Sequence, residues 1–114
     1  MSYFEGYQQT LFFYPDTLTT PGVTEVYDVY VINYLSTRNY TLSVTVSGIN
    51  TSVVVRLDGS VDKVNFGPMI SNTITENGTY IYNITGNPVK QVRANFLQET
   101  GGTTAKVTFS ISAN

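Results

Sequence analysis

Cysteine, histidine and tryptophan are all missing from this chain of 114 residues. Without cysteine no disulfide can close a loop, so packing and hydrogen bonds must hold the fold. Without cysteine or histidine, zinc sites of the thiolate or imidazole kind are excluded. The histidine-dependent triads of serine and cysteine hydrolases are excluded with them. Charge is scarce too: Asp, Glu, Lys and Arg make up 12% of the chain, against about a quarter in an ordinary domain. The net charge is −2. Lys63, Lys90 and Lys106 and the arginines are scattered along the chain, so no cluster exists to neutralise a run of phosphates, and nucleic acid is not an expected partner. The first residues, Met1-Ser2-Tyr3-Phe4-Glu5-Gly6, have neither the positive region nor the apolar stretch of a secretory signal. No apolar run approaches membrane-spanning length. The expectation is a soluble chain, complete as written, with no membrane partner.

What the chain does have is apolar and aromatic bulk. Hydrophobic residues make up 41% and aromatics 13%, enough for the core of one domain of this size. The organising stretch is 53–66, read V-V-V-R-L-D-G-S-V-D-K-V-N-F. Val53, Val55 and Leu57 alternate with Val54, Arg56 and Asp58, the period of a two-faced strand. Asp58-Gly59 is expected to turn the chain, with a weakly pairing run resuming at Val64. The same alternation recurs elsewhere. From Tyr40 to Ser47, Tyr40, Leu42, Val44 and Val46 oppose Thr41, Ser43, Thr45 and Ser47. Over 90–97, Val92, Ala94 and Phe96 oppose Gln91, Arg93 and Asn95. Over 103–112, Ala105, Val107, Phe109 and Ile111 oppose Lys106, Thr108, Ser110 and Ser112. The run 23–35 is apolar on both faces and rich in β-branched and aromatic residues, so it reads as one long strand. Residues 69–75 read as another, and Asn77-Gly78 as a two-residue hairpin turn into 79–85. No segment has helical periodicity. The expected fold is all-β: an antiparallel β-sandwich of jelly-roll or Greek-key type with about eight strands. Residues 15–114 form its single domain. Residues 1–14 are either an aromatic arm or its first strand.

Few residues invite chemistry. Asp58, Ser60 and Asp62 stand at alternate positions, as oxygen ligands do at the start of a calcium loop, but the later Gly and bidentate Glu of that loop are not in place. The stretch reads as a turn. Asp16, Glu25, Asp28, Glu76 and Glu99 could supply a glycosidase pair only by meeting across a cleft, and they read as solvated strand ends and loops. Asn39, Asn50, Asn77 and Asn83 head N-glycosylation tripeptides, which a chain rich in Asn, Ser and Thr produces by chance. Neither a catalytic residue nor a cofactor is expected, and an enzyme is not. The tyrosines and phenylalanines stand out more. Tyr3, Phe4, Tyr7, Phe12, Phe13 and Tyr14 crowd the N-terminus, and Tyr27, Tyr30 and Tyr34 follow on one run. Such rings pack cores, anchor protein interfaces and stack on sugars. These nine are the candidate interface residues.

Residues 53–112 carry a pattern of a more particular kind: V-x-V-x-L-D-G-S-x-D-x-x-x-F, then N-G-T-Y-x-Y-x-I-x-G-x-P-V-K-x-V-R-A-N-F, then G-G-T-T-A-x-V-T-F-S-I. It resembles the small β-sandwich modules of tailed-bacteriophage virion proteins, with Phe66 in the place of the aromatic that follows their D-G-S-x-D turn. The resemblance implies a structural role in the virion. For a small separate chain it implies a capsid decoration, or cement, protein that binds the major capsid protein and self-associates, most simply as a trimer at a lattice three-fold. The alternative is a carbohydrate-binding or receptor-binding module of a tail fibre or spike.

Overall fold

Period-two segments fold so that their apolar side chains share one face. The computed structural model describes residues 10–30 and 39–114. Ten strands form there: β1 (Leu11–Phe12), β2 (Asp16–Leu18), β3 (Gly22–Val23), β4 (Tyr27–Asp28), β5 (Tyr40–Ser47), β6 (Ser52–Ser60), β7 (Gly67–Ile74), β8 (Gly78–Ile84), β9 (Gln91–Thr100) and β10 (Lys106–Ala113). No helix is present among the described residues.

The strands make two antiparallel sheets. One has the order β1-β10-β5-β8, with β2 also on β10; the other has the order β3-β9-β6-β7, with β4 also on β9. β1 and β2 lie end to end along β10, the first against Ser112 and Ala113, the second against Val107, Thr108 and Phe109. β3 and β4 divide the edge of β9 in the same way. Counting each broken edge as one position leaves eight positions, ordered 1-8-3-6 in one sheet and 2-7-4-5 in the other. This is the arrangement of a jelly roll. The sandwich expected from the alternation is therefore present, and its two extra strands come from two broken edges.

The core lies between the central pairs. Tyr40, Leu42, Val44 and Val46 of β5 and Val107, Phe109, Ile111 and Ala113 of β10 face Val53, Val55, Leu57, Val92, Ala94 and Phe96 of β6 and β9, all of them buried. The outer face of the first sheet is hydroxyl-rich, with Lys106 a charge at one end of β10. Thr17 and Thr108 pair at 2.9 Å, Thr45 and Thr79 at 3.0 Å, and Thr41 donates to Asn83 at 3.0 Å.

Four expectations need correction. The run 23–35 is not one strand: Thr24, Glu25 and Val26 separate β3 from β4. The Thr24 hydroxyl accepts the Ala94 N–H at 3.0 Å, taking the place of a ladder carbonyl. Residues 31–38 lie outside the described residues. Asp58-Gly59 does not turn the chain, since β6 runs on to Ser60. A Cβ at Gly59 would run into the Met69 sulfur, so this glycine admits a side chain from β7. The turn comes later, around Asp62 and Lys63, which has φ 68°, and Val64, Asn65 and Phe66 belong to the connection and not to a strand. Asn77-Gly78 is not a hairpin turn, because β7 and β8 lie in different sheets. The Asn77 side chain instead accepts the Ile49 N–H at 3.0 Å, tying two crossings together at one end.

Gly48, at φ 70°, follows β5 where the chain crosses between sheets; a Cβ there would strike the Thr104 carbonyl oxygen. Gly86 has a similar φ of 76° with nothing within 4 Å of such a Cβ. Gly86→Ala is expected to cost about 1 kcal/mol, from strain alone. Gly48→Ala should cost about 3 kcal/mol, because the backbone must also shift. Urea midpoints at unchanged slope measure both, and equal losses would contradict the contact with Thr104.

Candidate functional site

The first strand position breaks where proline demands it. Phe13 N–H still reaches the Ile111 carbonyl at 3.0 Å, but Pro15 has no N–H to give, and pairing resumes at Asp16. On the matching edge of the other sheet, β4 sets Tyr27 opposite Val92. The Phe13 and Tyr27 rings stack across the two edges with centroids 4.7 Å apart and planes 25° apart. Phe12, Tyr14, Pro15, Asp16 and Glu25 complete an open cleft of about 540 Å³ around that pair. Phe12 and Tyr14 are 80% and 90% exposed, a large amount of aromatic surface left to water.

The cleft is acidic. Asp16 accepts the Glu25 N–H at 3.4 Å, which ties the two acidic residues to one rim, and among the described residues no cationic side chain lines the cleft. Partial burial pushes the Tyr27 phenol above its ordinary value, and the Asp16 and Glu25 charges add to that shift. Stacked rings beside carboxylate acceptors suit a partner with a flat apolar face and hydrogen-bond donors at its edge.

A second group sits on the outer face of the other sheet. Asp58 is fully buried. Arg56 Nε donates to it at 2.9 Å, Arg93 Nε at 3.3 Å and Asn95 Nδ2 at 3.3 Å. The Arg93 guanidinium in turn lies 4.4 Å from the centre of the Phe66 ring. Asp62 is occupied as well. It accepts the Asn65 N–H at 2.7 Å, the Val64 N–H at 2.8 Å, the Asn65 side-chain amide at 2.8 Å and the Ser60 hydroxyl at 3.1 Å. These bonds, the Asn65 backbone foremost, hold its carboxyl well below the usual carboxylate range. The two carboxylates of the Asp58, Ser60 and Asp62 stretch thus already face protein donors. Among the described residues no group of three or more acidic side chains is placed to hold a metal ion.

Of the nine candidate aromatics, Phe12, Phe13, Tyr14 and Tyr27 come together in the cleft. Tyr30 does not join them: its ring lies near the ammonium groups of Lys63 and Lys90, at 5.0 and 5.8 Å. Tyr3, Phe4, Tyr7 and Tyr34 fall outside the described residues. Asp16 and Glu25, read from sequence as solvated loop carboxylates, are the two site residues that reading missed. No spacing marks them, because the fold alone brings their two edges together.

The fold and this cleft define a jelly-roll module with an aromatic, acidic edge. No protein-family model matches the chain, and no curated protein matches it in sequence. Among solved structures it is similar to the SPBc2 prophage-derived protein YomS, with a TM-score of 0.58 and 13% identity over 93% of this chain and 92% of that one. A weaker likeness, with a TM-score of 0.39 and 11% identity over 94% of this chain and 91% of the other, is to a structure of Bacillus endospore appendages described as a novel family of disulfide-linked pili.

The charge around Tyr27 can be measured directly. Its ring-carbon resonance, assigned with Tyr27→Phe, should titrate above the usual ~10. Asp16→Asn combined with Glu25→Gln should bring the midpoint down, though not the whole way, because partial burial is the larger cause. A midpoint that does not move would separate the carboxylates from the ring.

Proposed function

We propose that this chain is a non-enzymatic structural protein of a bacteriophage particle: a capsid decoration protein that binds the major capsid protein on the outside of the shell. The observation that carries this reading is the architecture it shares with a prophage-derived protein across 93% of its length. That architecture, the jelly roll, recurs in viral capsid proteins. Surface chemistry supports the reading. Phe12 and Tyr14 offer apolar area at an edge, and the hydroxyl-rich outer face can settle on another protein with little charge to desolvate beyond Lys106 at one end. A decoration protein stabilises a shell by burying area across its seams, at roughly 25 cal/mol per Å² before association costs. Quantitative mass spectrometry of purified particles tests it. A copy number comparable with that of the major capsid protein is expected; a handful of copies per particle, or none, would sink the decoration reading.

The cleft favours one other reading, a glycan-binding module of a tail fibre or spike. Four aromatic rings beside Asp16 and Glu25 match the way sugars are held, by stacking on an apolar face and by carboxylates accepting hydroxyls. Binders on a glycan array that are lost on Tyr27→Ala and Tyr14→Ala would establish that reading. An array without binders, probed with the assembled protein, would dispose of it.

A further inference from the structure

A strand at the rim of a sheet carries a row of unpaired N–H and C=O groups, and proteins blunt such rims with breaks, bulges, prolines or charges. Among the described residues three of the four rims are blunted. β1 with β2, and β3 with β4, are pieces of two or three residues. β7 contains Pro68 and slips register against β6 between Leu57 and Asp58. β8 has none of these devices. Its seven residues pair with β5 from Gly78 to Ile84 without a shift, and they include no charge and no proline. Among the described residues nothing pairs with its other side.

The sequence of β8 is nearly symmetric about its centre. It reads Gly-Thr-Tyr-Ile-Tyr-Asn-Ile: Ile81 in the middle, Tyr80 and Tyr82 beside it, Thr79 and Asn83 beyond. The structure keeps that symmetry. Thr79 and Asn83 each bond a β5 threonine, Thr45 and Thr41, at 3.0 Å. Tyr80 and Tyr82 are half-buried toward the core, while Ile81 is 62% exposed on a face otherwise made of Thr, Ser and Asn along β5 and β8.

We propose that β8 is a self-pairing edge, joining two copies of this chain antiparallel about a two-fold axis through Ile81. Residues equally spaced on either side of such an axis meet, so a symmetric strand presents matched side chains to itself. Ile81 faces its own counterpart, Tyr80 lies opposite the partner's Tyr82, and Thr79 lies opposite the partner's Asn83. The pairing adds roughly six to eight main-chain hydrogen bonds and brings no like charges together. Two five-stranded sheets become one continuous sheet of ten strands.

Sedimentation equilibrium of the full chain and of variants at this exposed position tests the proposal, with circular dichroism as the control for folding. The unmodified chain should dimerise. Ile81→Lys and Ile81→Glu should each raise the dissociation constant at least ~10-fold, by setting like charges face to face at the axis. Mixing the two variants should restore association as a heterodimer. Ile81→Cys, in a chain with no other thiol, should cross-link to itself on oxidation. A monomer at every concentration overturns the proposal. So does a dimer or trimer whose dissociation constant Ile81→Lys leaves unchanged. If Ile81→Lys fails to fold, the Ile81→Cys chain decides: a cross-link supports the two-fold pairing and its absence rejects it. None of these outcomes depends on whether the protein is found on a capsid.

Discussion

The close packing of two inner sheet faces carries this protein, and no covalent bond assists it. Across each sheet, large side chains sit beside small ones. Phe109 pairs with Val44 and Ala113 with Tyr40 in the first sheet; Phe96 pairs with Val55 and Ala94 with Leu57 in the second. Alternating large with small side chains lets the two faces interdigitate closely. Tyr40, the largest fully buried side chain among the described residues, has its hydroxyl accepting the Val89 N–H at 3.2 Å. Because the centre is fixed, the edges are free to be irregular, and the aromatic cleft exists where two irregular edges meet.

The buried carboxylate on the outer face of the second sheet does a different job. Burying Asp58 is costly unless it is paired and hydrogen-bonded, and it meets both conditions with Arg56, Arg93 and Asn95. β6 carries a register shift against each of its neighbours, between Val54 and Val55 on one side and between Leu57 and Asp58 on the other. A slip by one residue would turn Asp58 into the core and Leu57 out to water. We read the ion cluster as a lock on register beside two bulges, the place where a plain apolar strand would be most free to slide.

What the sequence disclosed follows from where each strand sits. β5 and β10 have one wet face and one dry face along their whole length, and their alternation could be read directly. β6 and β9 were legible over the residues that line the core. The edge strands were not, since pieces of two or three residues are held by neighbours distant in sequence. Asp58-Gly59 misled because turn chemistry ordinarily outweighs strand propensity; here two arginines neutralise the acid and a methionine fills the space over the glycine. Asn77-Gly78 misled because a hairpin signal does not say whether the next strand stays in the same sheet. The surplus of aromatic residues was plain from composition, and four of them line one cleft. The pairing of Asp16 with Glu25 was not plain, because it depends on two edges from different sheets.

The sheet order also sets a schedule. β10 lies between β5 on one side and β1 and β2 on the other, and Leu11 pairs with Ala113. During synthesis, β1, β2 and β5 must wait for the last strand before their sheet can close. Until residue 113 emerges, Leu42, Val44 and Val46 stand on a strand that lacks its central neighbour. Pairings this distant in sequence close slowly, and the waiting chain exposes apolar surface to whatever is nearby. The order of strands along the chain therefore lengthens the interval in which the inner face of β5 stands uncovered, as it would not in a helical protein of the same length whose contacts are local.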